Sequence, residues 1–175
     1  MLFSCGRKVA NLSSHKRGWD DRWEEFSDWA EKGKVYQTEL IKLVDEDTNA
    51  FNKIMDAFSL PKKSEEEKAA RQKAVQDATR YATEVPFKTM MFCYECMEVV
   101  KAMAEIGNPN SVTDAGVGAL AARSGVIGAF LNVKINAAGL DDKEYANDII
   151  SRGEKVVEMA KQIETDILNI VNSKI

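Results

Sequence analysis

The chain has 175 residues, 45% of them apolar, and a net charge of −4 from 28 acids mixed with 24 bases. That is long and apolar enough to build one cored domain and excludes a disordered chain, and the lack of a basic stripe argues against nucleic acid as a partner. No apolar run approaches the roughly 20 residues of a membrane span, and three cysteines, an odd number, suit a reducing cytoplasm.

Ten glycines, three prolines and the lack of any sustained apolar–polar alternation predict an all-α fold, an antiparallel bundle of five to six helices. The opening MLFSC places a Cys after small and apolar residues but lacks the basic and apolar regions of a lipoprotein signal. Trp19, Trp23, Phe26 and Ala30 then recur at spacings of three and four, followed by Leu40, Leu43, Val44, Phe51, Ile54, Met55 and Phe58. Gly33 is the only weak point, so one long helix or two in tandem cover residues 20–58, ended by Leu60-Pro61.

Ser64 and Glu67 have capping-box spacing at the head of a charged helix. Pro86 predicts a break or kink and opens FKTMMFCYECMEVVKAMAEI, a segment apolar over much of its circumference and therefore central. Gly107 and the turn-like NPNS stop it, and a further helix is expected over residues 113–136. After the loop AAGLDD, an amphipathic last helix over residues 142–172 carries Ile149, Val156, Met159, Ile163, Ile167 and Ile170 on one side. No repeat or long linker interrupts this single domain, 1–175.

The stretch LVDEDTNAF places three acids in five positions of the first long helix. At about 100° per residue, Leu40, Leu43, Val44, Phe51, Ile54, Met55 and Phe58 fall within about 60° of one line. Asp47 lies about 20° from that line, whereas Asp45 and Glu46 lie about 140° and 120° away. Asp47 is therefore expected on the buried stripe, and the other two in solvent. A buried carboxylate is costly unless paired. Two readings follow: Asp47 meets a buried cation or amide or the wet end of the stripe, or it is a general acid or base in a cleft between helices.

In SVTDAGVGALAARSGVIGAFLNVKIN, the residues Ala115, Gly118, Ala122, Gly125 and Ala129 share a face that Asn132 and Asn136 continue. Such a face brings a backbone or a flat ligand close; tight helix packing and a heterocycle read by the two amides are the alternatives. Asp114 stands three residues after Ser111, which fits either a second capping box or a ligand contact. Cys93 and Cys96 form a C-x-x-C in mid-helix, read as two core-facing thiols rather than a redox motif, and Cys5 with His15 completes no common zinc spacing. His15, Lys16 and Arg17 form a basic turn, open to solvent or to an anionic group.

Seven stretches carry a resemblance over residue 9 to the end: VANLSSHKRGW, LVDEDTNAF, LPK, EEKAAR, ATEVPF, GNPNSVTDAGVGAL and GAFLNVKIN. The chain resembles the cyclodeaminase domain of formimidoyltransferase-cyclodeaminase, whose relatives include methenyltetrahydrofolate cyclohydrolases. The resemblance implies a helical homodimer or higher homo-oligomer with a folate site between helices near the subunit contact. It implies conversion of 5-formimidoyltetrahydrofolate to 5,10-methenyltetrahydrofolate and ammonia in histidine breakdown, in the cytoplasm, with no metal and no permanently bound cofactor. The second acid of the family's LVD-x-D segment, the proposed proton donor or acceptor, falls on Asp47. Lys16 and Arg17 match a basic pair suited to the glutamate tail, and Asp114, Asn132 and Asn136 match polar positions around the cleft. Hydrolysis of methenyltetrahydrofolate in the same pocket, or an inactive helical module docking on a formimidoyltransferase, are the competing expectations. Members carry a full first helix entered through a P-G-G-G-S segment; this chain opens with MLFSCGRK, so an incomplete first helix and a cut-short cleft are expected.

Overall fold

A computed structural model of the chain describes residues 5–14 and 19–175, and within them all regular structure is helical. Six α-helices follow one another: α1 (Cys5–Ser14), α2 (Trp23–Ser59), α3 (Glu65–Glu95), α4 (Met97–Ile106), α5 (Val112–Ala138) and α6 (Lys143–Asn172). α5 is the centre, packed on α3, α4 and α6; α2 runs along α3, and α1 lies against α2, α4 and α5. Met90, Cys93, Met97, Val126, Val133 and Ala160 form the middle of the core, so the methionine-rich segment is central as its composition predicts.

The helix ends follow local chemistry. Ser64 caps α3 by accepting from the Glu67 N–H at 3.2 Å, while the Glu67 carboxylate accepts from the Ser64 N–H at 3.2 Å, which is the expected box. Asp142 caps α6 by accepting from the Tyr145 N–H. At the head of α5 the expected second box is not formed: Ser111 makes no side-chain cap, and Asp114 instead pairs with Lys8 of α1 at 3.0 Å.

Neither Gly33, the weak point of the first long helix, nor Pro86, where a break or kink was expected, ends a helix. α2 passes through Gly33 because α1 crosses there; a Cβ on residue 33 would stand 3.3 Å from the Cβ of Arg7. α3 continues through Pro86, and the interruption comes at Cys96, a single turn residue whose N–H still reaches the Phe92 carbonyl at 3.0 Å. On the long second helix Trp23 is 54% exposed, and on α6 Met159 is 43% exposed, outside the faces expected to bury them.

Contrary to the reading of the sequence, the stretch Pro109–Ala138 is by length and composition apolar enough to span a membrane, an 18-residue window within it having mean hydropathy 1.4. Part of that apolarity serves the bundle: Ala115, Ala119, Ala122, Val126 and Val133 are buried against the surrounding helices.

Candidate functional site

Over the second half of α2 the residues that meet the rest of the bundle are Leu40, Leu43, Ala50 and Ala57, with Ile54 half-buried. Spaced by three and four, these positions form a seam, and Asp47 falls on it between Leu43 and Ala50. The seam is narrower than the stripe drawn from bulky residues: Val44, Phe51, Met55 and Phe58 are 50–66% exposed. Asp47 is exposed as well, which corrects the expectation of a buried carboxylate. Helical phase found its side correctly, but the helices opposite Asp47 leave the seam open.

That opening is a groove of about 370 Å³. Val44, Asp47 and Thr48 of α2 form one wall, Pro86 and Thr89 of α3 the other, and Gly125, Ala129 and Asn132 of α5 the floor. The small floor residues are what leave the space. Gly125 has no room for more, since a Cβ there would come 2.8 Å from the Cys93 sulfur. The close approach expected on this face of α5 is thus a thiol on one side and a groove on the other.

The groove is rich in acceptors. The Thr48 hydroxyl donates to the Val44 carbonyl and the Thr89 hydroxyl to the Val85 carbonyl, each at 3.2 Å, and the Asn132 amide donates to the Gly128 carbonyl at 3.2 Å. With the hydroxyl protons and one Asn132 N–H used inside their own helices, the hydroxyl lone pairs, the Asn132 Oδ1 and its second N–H, and the Asp47 carboxylate remain to face a ligand. Such a lining suits a flat group carrying several N–H donors.

Glu46, expected in solvent, is half-buried instead. Its Oε1 accepts from Lys88 Nζ at 3.0 Å and from the Tyr81 hydroxyl at 3.2 Å, both on α3. The bond from Lys88 holds the Glu46 carboxyl below its ordinary value, and the same bond raises the Lys88 ammonium above its own. Burial, followed by the bond to Glu46, pushes the Tyr81 phenol up. Sequence reasoning missed this trio because nothing local marks Glu46 and Lys88, 42 positions apart, as partners.

Of the other expected contacts, Asn132 lies at the groove and Asn136 one turn beyond it, where its Nδ2 donates to the Ala82 carbonyl of α3 at 2.6 Å. Asp114 is not brought to the groove; it sits near the opposite end of α5, roughly 27 Å from Asn132 at 1.5 Å per residue. Lys16 and Arg17, with His15, lie outside the described residues. Cys93 and Cys96 are buried thiols, both pushed up to about 12 by desolvation, as core-facing side chains require.

A second feature adjoins the groove. Besides the exposed apolar residues of α2, α5 presents Val117, Leu120, Leu131 and Ile135, 48–73% exposed, with Ser124 and Gly128 completing the line between them. A Cβ on Gly128 would meet nothing within 4 Å. Long apolar faces of this kind mark surfaces that another molecule covers.

Comparison with known proteins joins these observations. A family model described as formiminotransferase-cyclodeaminase matches residues 3–155. The methenyltetrahydrofolate cyclohydrolase of Methylorubrum extorquens is 35% identical over 167 residues, which cover 95% of this chain and 80% of that protein. The formimidoyltransferase-cyclodeaminase of Gallus gallus is 31% identical over 136 residues, 78% of this chain, and the match spans 25% of the longer protein. In fold, the crystal structure of formiminotetrahydrofolate cyclodeaminase from Thermotoga maritima superposes with a TM-score of 0.84 over 99% of this chain and 82% of that one, at 22% identity.

Proposed function

The chain belongs to the formiminotransferase-cyclodeaminase family, and on that premise we propose that it closes 5-formimidoyltetrahydrofolate to 5,10-methenyltetrahydrofolate with release of ammonia. The observation that carries this reading is the place of Asp47, a carboxylate on a groove with a small, flat floor and acceptors around it. A reduced pterin is flat and rich in N–H donors, which Asn132 Oδ1 and the oxygens of Thr48 and Thr89 accept.

The reaction needs one group that moves protons. N10 attacks the formimidoyl carbon and loses its proton; the nitrogen on that carbon gains protons and leaves as ammonia, and N5, the carbon and N10 are left as the methenyl bridge. Asp47 takes the proton from N10 and returns one to the departing nitrogen. The exposed apolar faces of α2 and α5 pack against a second copy of the chain, which covers the groove and sheds water around Asp47. Asp114 reaches a groove only across such a contact. Lys16 and Arg17 hold the glutamate tail, and a formimidoyltransferase supplies the substrate.

A second reading is favoured by the likeness to the bacterial cyclohydrolase: Asp47 takes a proton from water as it attacks the methenyl carbon, the bond from that carbon to N5 then breaks with the remaining hydroxyl proton passing to N5, and the product is 10-formyltetrahydrofolate. One absorbance assay separates the two. Appearance of methenyltetrahydrofolate from enzymatically made formimidoyltetrahydrofolate, faster than without protein, supports the first reading. Enzyme-dependent loss of methenyltetrahydrofolate without the first activity supports the second, and neither activity in the parent refutes both.

A further inference from the structure

Pro86 lies inside α3 and has no N–H, so the carbonyl four residues earlier, that of Ala82, lacks the donor which would complete the helical ladder. Asn136 of α5 fills that place, its Nδ2 donating to the Ala82 carbonyl at 2.6 Å. Because the partner is a carbonyl, the amide must turn its nitrogen towards α3. Among the described residues no other side-chain hydrogen bond joins α3 to α5. It sits one turn before Pro86 and one turn beyond Asn132, residues of the α3 wall and the α5 floor of the Asp47 groove.

We infer that Asn136 is a positioning residue rather than a ligand contact, and that with Pro86 it forms a single device setting the groove. The proline presents a rigid ring to the groove wall facing Asp47 and gives up a ladder bond in doing so. The asparagine satisfies the carbonyl thus released and ties the wall to the floor, fixing the width available to a flat ligand. A side chain that touched the ligand would act independently of Pro86; a side chain that replaces a missing N–H matters only while that N–H is missing.

The inference rests on the Asp47 groove being the folate site, and the test separates the two. Four proteins are compared, the parent, Asn136→Ala, Pro86→Ala and the double variant, in the absorbance assay and in thermal unfolding. Pro86→Ala restores the N–H beneath the Ala82 carbonyl. Asn136→Ala in the parent background is expected to raise KM by roughly three- to tenfold with kcat within about twofold, the size of a lost buried hydrogen bond, and to lower the unfolding midpoint. In the Pro86→Ala background the same change is expected to move both readouts little. Equal KM costs in the two backgrounds overturn the inference and make Asn136 a ligand contact. A parent without turnover refutes the functional reading and with it the positioning role, and non-additive unfolding midpoints then support the Asn136–Ala82 tie alone.

Discussion

Glu46 and Asp47 are neighbours in the chain that face different ways on α2: Glu46 reaches across to Lys88 and Tyr81 of α3, and Asp47 opens onto the groove. Successive helical residues diverge by about 100°, so anchoring the first to α3 fixes the direction of the second. The chemistry proposed for Asp47 therefore starts from a backbone held one residue away.

Asp47→Asn keeps shape and polarity but removes the group that carries a proton. Turnover in the absorbance assay is expected to fall by at least about a hundredfold, while the unfolding free energy changes by less than about 0.5 kcal/mol because the residue is exposed and its removal leaves no buried atom unpaired. Unchanged turnover in a well-folded variant would remove Asp47 from the mechanism.

The Glu46–Lys88 pair gives stability a defined pH dependence. Glu46 titrates below its ordinary 4.5 in the folded chain, so its contribution is complete above that value and is lost as pH falls through the lowered one. Lys88 titrates above its ordinary 10.5, so its contribution is complete below that value and is lost as pH rises through the raised one. Lys88→Met is expected to cost about 0.5–1 kcal/mol near neutral pH, the range for a pair this exposed. In urea melts at several pH values the difference from the parent should shrink on the acid side of pH 4.5. A difference independent of pH would show that the pair contributes packing alone.

How much of this was legible in the sequence depends on what each pattern encodes. Spacing of apolar residues gave an all-helical bundle and the side of α2 on which Asp47 lies, because phase is a local property; it did not mark α1 or the break at Cys96. Burial was not legible: it depends on the small Gly125 and Ala129 opposite Asp47, and on whether anything covers Phe51 and Met55, which are exposed here. Pro86 was read as a break or kink because a helix normally needs the N–H it lacks. The missing donor comes from Asn136, 54 positions from Ala82, and no local pattern names it. The family resemblance had placed Asn136 around the cleft; the structure sets it one turn beyond the groove, and the resemblance did not reveal what its amide holds.

Glycines separate packing within the chain from packing beyond it. At Gly153 a Cβ would stand 2.6 Å from Cδ2 of Phe130, so Gly153→Ala is expected to cost about 1–3 kcal/mol in chemical denaturation. Gly128 faces open space in the chain, so Gly128→Leu should leave the monomer folded. If a second copy packs on α5 there, light scattering will show the parent as a dimer and the Leu variant as a folded monomer. A parent that is monomeric by the same measurement overturns the proposed contact.

Burial makes the C-x-x-C pair inert. With both thiols pushed up to about 12, Cys93 and Cys96 are expected to stay unlabelled by a disulfide reagent at mildly alkaline pH in a Cys5→Ser background, and to react on addition of denaturant. Rapid labelling of the native protein would show that the core opens around α4.

The turns joining α2 to α3, α4 to α5 and α5 to α6 are short, so those helix pairs can assemble as local hairpins with little loop entropy to overcome. α1 is tied to the bundle across a longer span of sequence as well. Its Ser13 hydroxyl donates to the Val9 carbonyl and accepts from the Asn108 N–H, 95 positions away, at 2.8 Å, fully buried. Ser13 therefore latches α1 onto the turn between α4 and α5, and hydrogen exchange is expected to find the Asn108 amide opening together with those of α1 when the native protein breathes.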